Sequence, residues 1–166
     1  AVQGAVSGAG RAGARFDPQC RRCPRLARHL DAVRAAQPEY HCRPVAPFGT
    51  VRHRLLVVGL APGLHGANRT GRPFTGDHAG ILLYRTLHGQ GFASAAESVG
   101  RDDGLRLLDC RITNAVKCLP PGNKPRPDEV RRCNDYLCSR LNTNTGRLTP
   151  AMFKRVFARA RHLIGT

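Results

Sequence analysis

The sequence predicts an α/β fold with a short parallel sheet, and three observations lead to this prediction. The apolar run at 55–60, in a strand predicted over 54–60, is too short for a lone helix and is typical of a strand buried on both faces. A second strand candidate covers residues 107–116. Patterns of helical period precede, separate and follow these two runs, and such alternation indicates a parallel sheet. Two strands nevertheless make an unusually small sheet.

The segment before the first strand is predicted to contain one helix and one loop. A helix is predicted over 26–36, because apolar residues recur on one face there: Leu26, Leu30 and Val33. Residues 37–53 are rich in proline and histidine and are predicted to form a loop, with Phe48–Gly49 as a turn.

Three further helices are predicted after the first strand. The second helix is predicted to begin at Ile81, to continue through Leu87 and to end near Gly89. The third begins at Pro127, which two acidic residues follow. The last is capped by Thr149 and has Pro150 at its first position. Its apolar residues form a stripe that we predict to be core: Met152, Phe153, Val156, Phe157, Ala160, Leu163 and Ile164.

Charge is the most informative property of the whole chain. The 166 residues include 27 Lys and Arg against 11 Asp and Glu, a net charge of +16. A polyanion such as DNA or RNA is the natural partner, although excess arginine also arises from GC-rich coding sequence. No apolar run is long enough for a membrane span and no secretory signal is evident, so we expect a cytoplasmic protein. We also expect a monomer. Residues 1–15 are expected to be disordered, and residues 16–166 to form a single domain.

Seven cysteines are many for a chain of this length. An odd number without a secretory signal argues against a disulfide framework and favours metal ligation. One tight pair and two distant single cysteines are compatible with a zinc site or an iron–sulfur cluster on Cys20, Cys23, Cys118 and Cys133. The alternative is that Cys118 and Cys133 are small buried residues. Of the other three, Cys42, Cys138 and Cys110, the last is expected to be core.

A glycine-rich loop follows the first strand and covers residues 59–80. In open α/β sheets, ligands bind where a strand ends in such a turn, because small residues let the backbone approach a ligand. Phe74 and Asp77 lie in this loop, and together they could hold a flat ligand beside one negative charge. The alternative is a loop that only connects a strand to a helix. The loop carries neither a Walker nor a GxGxxG motif.

Three motifs together resemble the uracil-DNA glycosylase superfamily in its iron–sulfur branches, and most of all the type 5 branch. GLAPGLHGANRTGRPFTGD at 59–77 resembles the first motif of that branch, with Gly63 where alanine is more usual. TNAVKCLPPGNKPRPDEVRRC at 113–133 resembles the second, and NTNTGRLT at 142–149 the motif that follows a DNA-inserting loop.

The resemblance implies a three-layer α/β/α sandwich and excision of uracil and other deaminated bases from DNA. It implies a 4Fe–4S cluster on Cys20, Cys23, Cys118 and Cys133. Asp77 and Asn114 would be catalytic, because one can stabilise charge on the sugar and the other carries the amide that an imide edge requires. Substrate contacts would come from Gly59, Leu60, Ala61, Phe74 and Asn114, and DNA contacts from Ser139, Arg140, Asn142 and Arg147.

The chain departs from the family pattern in its second half. Leu137 stands where the family has the histidine of its DNA-inserting loop. The family also has a core strand and a helix between the cysteine-bearing helix and this loop, and here only four residues separate Cys133 from Cys138. We therefore expect an internally deleted member that lacks one core strand. The alternatives to a glycosylase are a catalytically weak or inactive iron–sulfur protein that binds DNA, and a zinc-bound nucleic-acid-binding module.

Overall fold

The structure, a computed structural model, describes residues 16–134 and 150–165. The predicted disordered segment and the DNA-inserting loop with its motif lie outside the described residues. Within the described ranges the elements follow in this order: α1 Pro24–Ala36, β1 Phe48–Gly49, β2 Leu55–Gly59, α2 Ala67–Thr70, α3 His78–Gly89, β3 Cys110–Asn114, α4 Pro127–Asn134 and α5 Pro150–Ile164. The predicted α/β class is confirmed.

The sheet of the described residues has three strands in the order β1-β3-β2 and is mixed rather than parallel throughout. β2 and β3 are parallel, with Leu55 opposite Cys110 and Gly59 opposite Asn114. β1 pairs antiparallel with β3, so the prediction of a turn at Phe48–Gly49 was wrong. Gly49 makes this pairing possible, since its φ is 107° and a Cβ there would lie 2.3 Å from the Cys110 carbonyl oxygen.

The predicted burial of the first strand on both faces was also wrong. All five residues of β2 are only half-buried. The strand lies at the edge of the sheet formed by the described residues, and an edge strand lacks a neighbour that would cover one side. The strand predicted over 107–116 is shorter than expected, because Leu107 instead forms an isolated bridge with Ala93.

Two apolar clusters hold the helices. The larger cluster packs α3 and α5 against β3 through Leu83, Leu87, Cys110, Ile112 and Phe157. The smaller cluster packs α1 against the segment after β3, with partly buried residues of α4 beside it, and its buried members are Cys23, Leu26, Leu30, Val116, Cys118 and Leu119. The predicted apolar face of α1 and the core position of Cys110 are confirmed.

The apolar stripe of α5 is core only in part. Phe157 is buried and Ile164 packs beside it. In contrast, the side chains of Val156 and Leu163 are 58% and 74% exposed, so the prediction that the whole stripe is core was wrong. A local pattern shows which residues share a helix face but not how much of that face another element covers.

Among the described residues, no helix is both long enough and apolar enough to cross a membrane.

Candidate functional site

A small cavity opens where β2 and β3 end. Its volume is about 260 Å³, and its walls are formed by Leu60, Ala61, Gly63, Ala67, Phe74, Asp77, Ala79, Asn114 and Asn123. The two strands are parallel and end opposite each other at Gly59 and Asn114, so their following residues meet at one edge of the sheet. The structure thus brings together five of the predicted residues: Leu60, Ala61, Phe74, Asp77 and Asn114.

Gly59, the remaining predicted substrate contact, lies under the cavity rather than in its wall. A Cβ on Gly59 would lie 2.4 Å from Asn114 Oδ1 and 2.7 Å from Phe74 Cζ. Both separations are too short for real atoms, so only glycine lets the ring and the amide approach each other here. Its carbonyl oxygen accepts a hydrogen bond from the Ala115 N–H at 2.7 Å and is already used within the fold.

Phe74 adopts a left-handed backbone conformation, with a φ of 54°. For a bulky residue this conformation costs about 1–3 kcal/mol and persists only when the surroundings impose it. Gly80 is one such constraint, because a Cβ there would lie 1.8 Å from the Phe74 carbonyl oxygen. The backbone around Phe74 is therefore packed tightly against the first turn of α3.

Asp77 has a structural role as well as a place in the cavity wall. It is the N-cap of α3, and its Oδ1 accepts a hydrogen bond from the Gly80 N–H at 2.9 Å. Its other oxygen, Oδ2, lies toward the glycine-rich turn, 2.5 Å from where a Gly66 Cβ would be and 4.0 Å from where a Gly63 Cβ would be. One carboxylate oxygen is thus fixed by the helix, while the other faces the cavity side.

Asn114 is the last residue of β3 and is buried. The buried ammonium group of Lys117 donates a hydrogen bond to its main-chain carbonyl oxygen. Burial lowers the pKa of Lys117. The side chain of Asn114 reaches the cavity from a backbone that both the sheet and Lys117 hold in place.

Asn123 lines the same cavity, and sequence reasoning missed it. It ends the short 3₁₀ turn Pro121–Asn123 and has a positive φ of 57°. The signal that could have identified it is the Pro-Pro-Gly-Asn run, because asparagine tolerates this conformation best after glycine.

Two histidines near the loop, His65 and His78, do not line this cavity. His65 Nδ1 is 2.8 Å from the Tyr40 hydroxyl, and the two rings meet edge to face. His78 lines a neighbouring cavity of about 430 Å³, which shares Phe74 and Asp77 with the first. The predicted DNA contacts Ser139, Arg140, Asn142 and Arg147 lie outside the described residues, as does Leu137.

The four cysteines predicted as ligands line a second site, a cavity of about 140 Å³ beside α1 and α4. The same cavity is lined by four cationic side chains: Arg22, Arg111, Lys117 and Arg132. A partly buried ion pair joins the two helices, with Arg25 Nη1 donating to Glu129 Oε1 at 3.0 Å. The Glu129 carboxylate also accepts from the Arg126 N–H at 2.7 Å, so the start of α4 is fixed against α1.

The thiols of this cavity interact with one another. Burial, and then the neighbouring cysteines Cys133, Cys20 and Cys23, raise the pKa of Cys118 to about 12. Burial and Cys133 also raise the pKa of Cys23. Nevertheless, among the described residues no three His, Cys, Asp or Glu side chains stand close enough together to hold a metal ion. The cysteines surround one space without meeting at a point.

Comparison with known proteins places the chain in a family. The model of the uracil DNA glycosylase superfamily matches residues 46–152 of the 166. The type-5 uracil-DNA glycosylase of Thermus thermophilus is 52% identical over 119 residues, which cover 69% of this chain and 54% of that protein. The type-5 uracil-DNA glycosylase of Mycobacterium bovis is 48% identical over 124 residues, which cover 71% of this chain and 46% of that protein.

A third relative matches more of the chain. The type-5 uracil-DNA glycosylase of Pyrobaculum aerophilum is 39% identical over 150 residues, which cover 88% of this chain and 66% of that protein. The chain spans about half the length of the first two relatives. Since the family model covers well over half of its residues, the chain belongs to the uracil DNA glycosylase superfamily.

Proposed function

We propose that this chain is a DNA glycosylase that hydrolyses the N-glycosidic bond of uracil, and of other deaminated bases, in DNA. The observation that carries the proposal is the cavity at the ends of β2 and β3. An aromatic ring, a carboxylate and a buried amide, those of Phe74, Asp77 and Asn114, converge on one small space. Its volume of about 260 Å³ suits a ligand smaller than a typical drug molecule, such as a single base.

Each of these three groups suits one step of base excision. The target base must leave the duplex to be read, and the Phe74 ring would stack on it. Asn114 has both the donor and the acceptor that the imide edge of uracil requires. Breaking the glycosidic bond leaves positive charge on the sugar, and Asp77 Oδ2 would stabilise that charge or orient the attacking water. Backbone N–H groups of the 59–63 turn would stabilise the negative charge on the departing base.

We propose that the cysteine cavity holds a 4Fe–4S cluster on Cys20, Cys23, Cys118 and Cys133. The donor set fits, because four thiols and several cations line one cavity, and the cations balance the negative charge of thiolates. A cluster gives each thiolate its own iron, so it suits cysteines that surround a space better than a single zinc does. When bound, the cluster would tie α1 to α4.

The colour and metal content of the purified protein test the cluster. Brown protein with broad visible absorption and iron is expected, and Cys118→Ser should remove the colour. Cys42→Ser is the matched control, because Cys42 is equally buried but does not line the cavity. Colourless wild-type protein with one equivalent of zinc would favour the zinc module instead.

DNA is the proposed partner, and the net charge of +16 supports it through phosphate contacts. Ser139, Arg140, Asn142 and Arg147 stay predicted DNA contacts. A monomeric state, a cytoplasmic location and a single domain over 16–166 also stay predictions.

The second candidate function is DNA binding with weak or absent catalysis. The half-buried edge strand β2 favours weak catalysis, as do the exposed side chains of Val156 and Leu163. They leave apolar surface without cover among the described residues, and less buried area lowers the stability of the fold that holds the site. Leu137 favours it too, since it cannot donate a hydrogen bond to the leaving base. One lost donor of this kind lowers the rate by about 10²–10³.

The test is incubation of the purified protein with a duplex that contains one uracil, followed by alkaline cleavage. We expect slow strand cleavage at the uracil and none in the matched thymine duplex. Asn114→Ala should remove the cleavage without unfolding the protein. A cooperatively folded wild type that binds the duplex but never cleaves it would overturn the proposal in favour of the DNA-binding alternative.

A further inference from the structure

We propose that a buried ion pair, Arg72 with Asp103, fastens the segment 97–103 to the glycine-rich loop and thereby holds Phe74 in its left-handed conformation. Arg72, Ser98 and Asp103 are then positioning residues for the stacking ring. The proposal rests on the proposed function for the role of Phe74, but the contacts that carry it are independent of that function.

Arg72 is the centre of this network. Its side chain is 5% exposed and that of Asp103 is 10% exposed. Arg72 Nη1 donates to Asp103 Oδ1 at 2.7 Å and to Ser98 Oγ at 2.9 Å, and Nη2 donates to the Arg101 carbonyl oxygen at 2.5 Å. The guanidinium also lies over the Phe48 ring, 4.4 Å from its centroid, so β1 packs against the same group.

Asp103 binds backbone N–H groups of its own segment as well as the side chain of Arg72. Its carboxylate accepts hydrogen bonds from the backbone N–H groups of Val99 at 2.9 Å, Gly100 at 3.2 Å and Leu105 at 3.0 Å. Burial disfavours the charged form, but these hydrogen bonds and that from Arg72 outweigh it and lower the pKa of Asp103 to about 2. The Asp103 carboxylate is therefore charged at neutral pH, where it pairs with Arg72.

The network reaches the residues on both sides of Phe74. Before it, the Tyr84 hydroxyl donates to the Pro73 carbonyl oxygen at 2.8 Å. After it, the Thr75 and Ser98 hydroxyl oxygens are 2.7 Å apart, and the Thr70 hydroxyl donates to the Thr75 carbonyl oxygen at 3.1 Å. Tyr84 and Thr75 are buried, as is Arg72.

These contacts explain how a bulky residue keeps a conformation that it otherwise avoids. The backbone is fixed at Pro73 and at Thr75, so the φ angle of Phe74 has little freedom to relax. Loosening either side would let the ring leave the cavity wall. A ring displaced by about 1 Å from its stacking position can lower the rate by about 10²-fold, because the base is no longer held in the reactive geometry.

The test uses the whole chain labelled with fluorophenylalanine, so that each of the six phenylalanines gives a fluorine resonance. Phe74→Leu identifies the resonance of Phe74. The variants are Ser98→Ala, which removes one contact of Arg72, and Asp103→Asn, which removes the ion pair. Asp31→Asn is the matched control, because Asp31 lies on α1 and forms an exposed ion pair with Arg21, which precedes that helix. Thermal unfolding confirms that each variant is folded.

We expect both variants to shift or broaden the Phe74 resonance while those of Phe92 and Phe157, in the apolar core, stay in place. The single-turnover excision rate should fall by about 10-fold in Ser98→Ala and about 10²-fold in Asp103→Asn, with DNA affinity unchanged. An unchanged Phe74 resonance in either folded variant overturns the proposal. If Asp103→Asn fails to fold, Ser98→Ala carries the test alone. Absence of excision in the wild type overturns the proposed function, while the fluorine spectra still test the network.

Discussion

Two cavities of the molecule are built in opposite ways: the cavity at the ends of β2 and β3, named the base cavity after its proposed ligand, and the cysteine cavity. The base cavity takes most of its wall from one stretch, residues 60–79, whose backbone is packed so closely that Gly59, Gly66 and Gly80 leave no room for a Cβ. The cysteine cavity is lined by residues from four separate stretches of the chain, 16–23, 44–47, 111–118 and 132–133. The first is shaped by its own backbone, whereas the second depends on long-range contacts and on what occupies it. Substitutions should therefore act differently in the two regions.

The largest effect on stability is expected at Gly80, where the backbone of α3 contacts the backbone of Phe74. In Gly80→Ala the new Cβ would lie 1.8 Å from the Phe74 carbonyl oxygen, and neither the loop nor the first turn of α3 can yield cheaply. We expect the free energy of unfolding to fall by about 3 kcal/mol or more. Chemical denaturation measures it. Gly89→Ala near the end of the same helix is the control, since it meets no atom within 4 Å. A comparable loss in both variants would contradict the account of the base cavity.

A smaller effect is expected at the ion pair of Arg25 with Glu129, which joins α1 to α4 beside the proposed cluster site. Glu129→Gln removes the charge that Arg25 faces between α1 and α4, where Glu129 is 3% and Arg25 25% exposed. We expect a loss of about 1–3 kcal/mol in the free energy of unfolding and a lower metal content of the purified protein. Asp128→Asn on the same helix breaks only the exposed pair with Arg132 and should cost about 0.5 kcal/mol or less. Full metal content in Glu129→Gln would mean that the cysteines need no such alignment.

The smallest effect on stability, but a clear one on activity, is expected at Gly59. The Cβ in Gly59→Ala meets the ends of two side chains, Phe74 and Asn114, which can move aside without unfolding the domain. The cavity would then lose its shape, and we expect excision to fall by about 10²-fold in a strand-cleavage assay. Gly89→Ala is again the control, because its Cβ would meet no atom within 4 Å and Gly89 does not line the cavity. Normal activity in Gly59→Ala would show that the close approach of ring and amide is unimportant.

The same contrast explains how much of the molecule could be predicted from its sequence. The helices α1, α3, α4 and α5 and the strands β2 and β3 follow from local patterns, although β3 is shorter than the predicted 107–116 and the short helix α2 was not predicted. β1 was missed because it depends on Gly49 docking against Cys110, sixty-one residues away. The exposure of β2 and of Val156 was missed because a local pattern does not contain the element that would cover a face.

The candidate site divides in the same manner. Phe74, Asp77 and Asn114 were expected together from the resemblance to the glycosylase motifs. The parallel strands β2 and β3 explain their meeting, because the carboxyl ends of parallel strands share one edge of the sheet. The contacts that hold these three residues in place were not predicted. The pairing of Arg72 with Asp103 spans thirty-one residues, and Asn123 reaches the cavity only through a turn with positive φ. Neither follows from hydrophobic periodicity or from a short motif.

The measurement that tests the central claim most directly compares wild type with Asp77→Asn in single-turnover excision of uracil and in binding to the same duplex. Asparagine is an equally good N-cap, so α3 and the fold should persist and only the charge is lost. A charge that acts on the transition state affects catalysis more than binding. We predict a rate that is at least about 10²-fold lower in Asp77→Asn, with DNA affinity unchanged. Equal excision by the two folded proteins would contradict a catalytic role for Asp77 and with it the assignment of this cavity as the site of base excision.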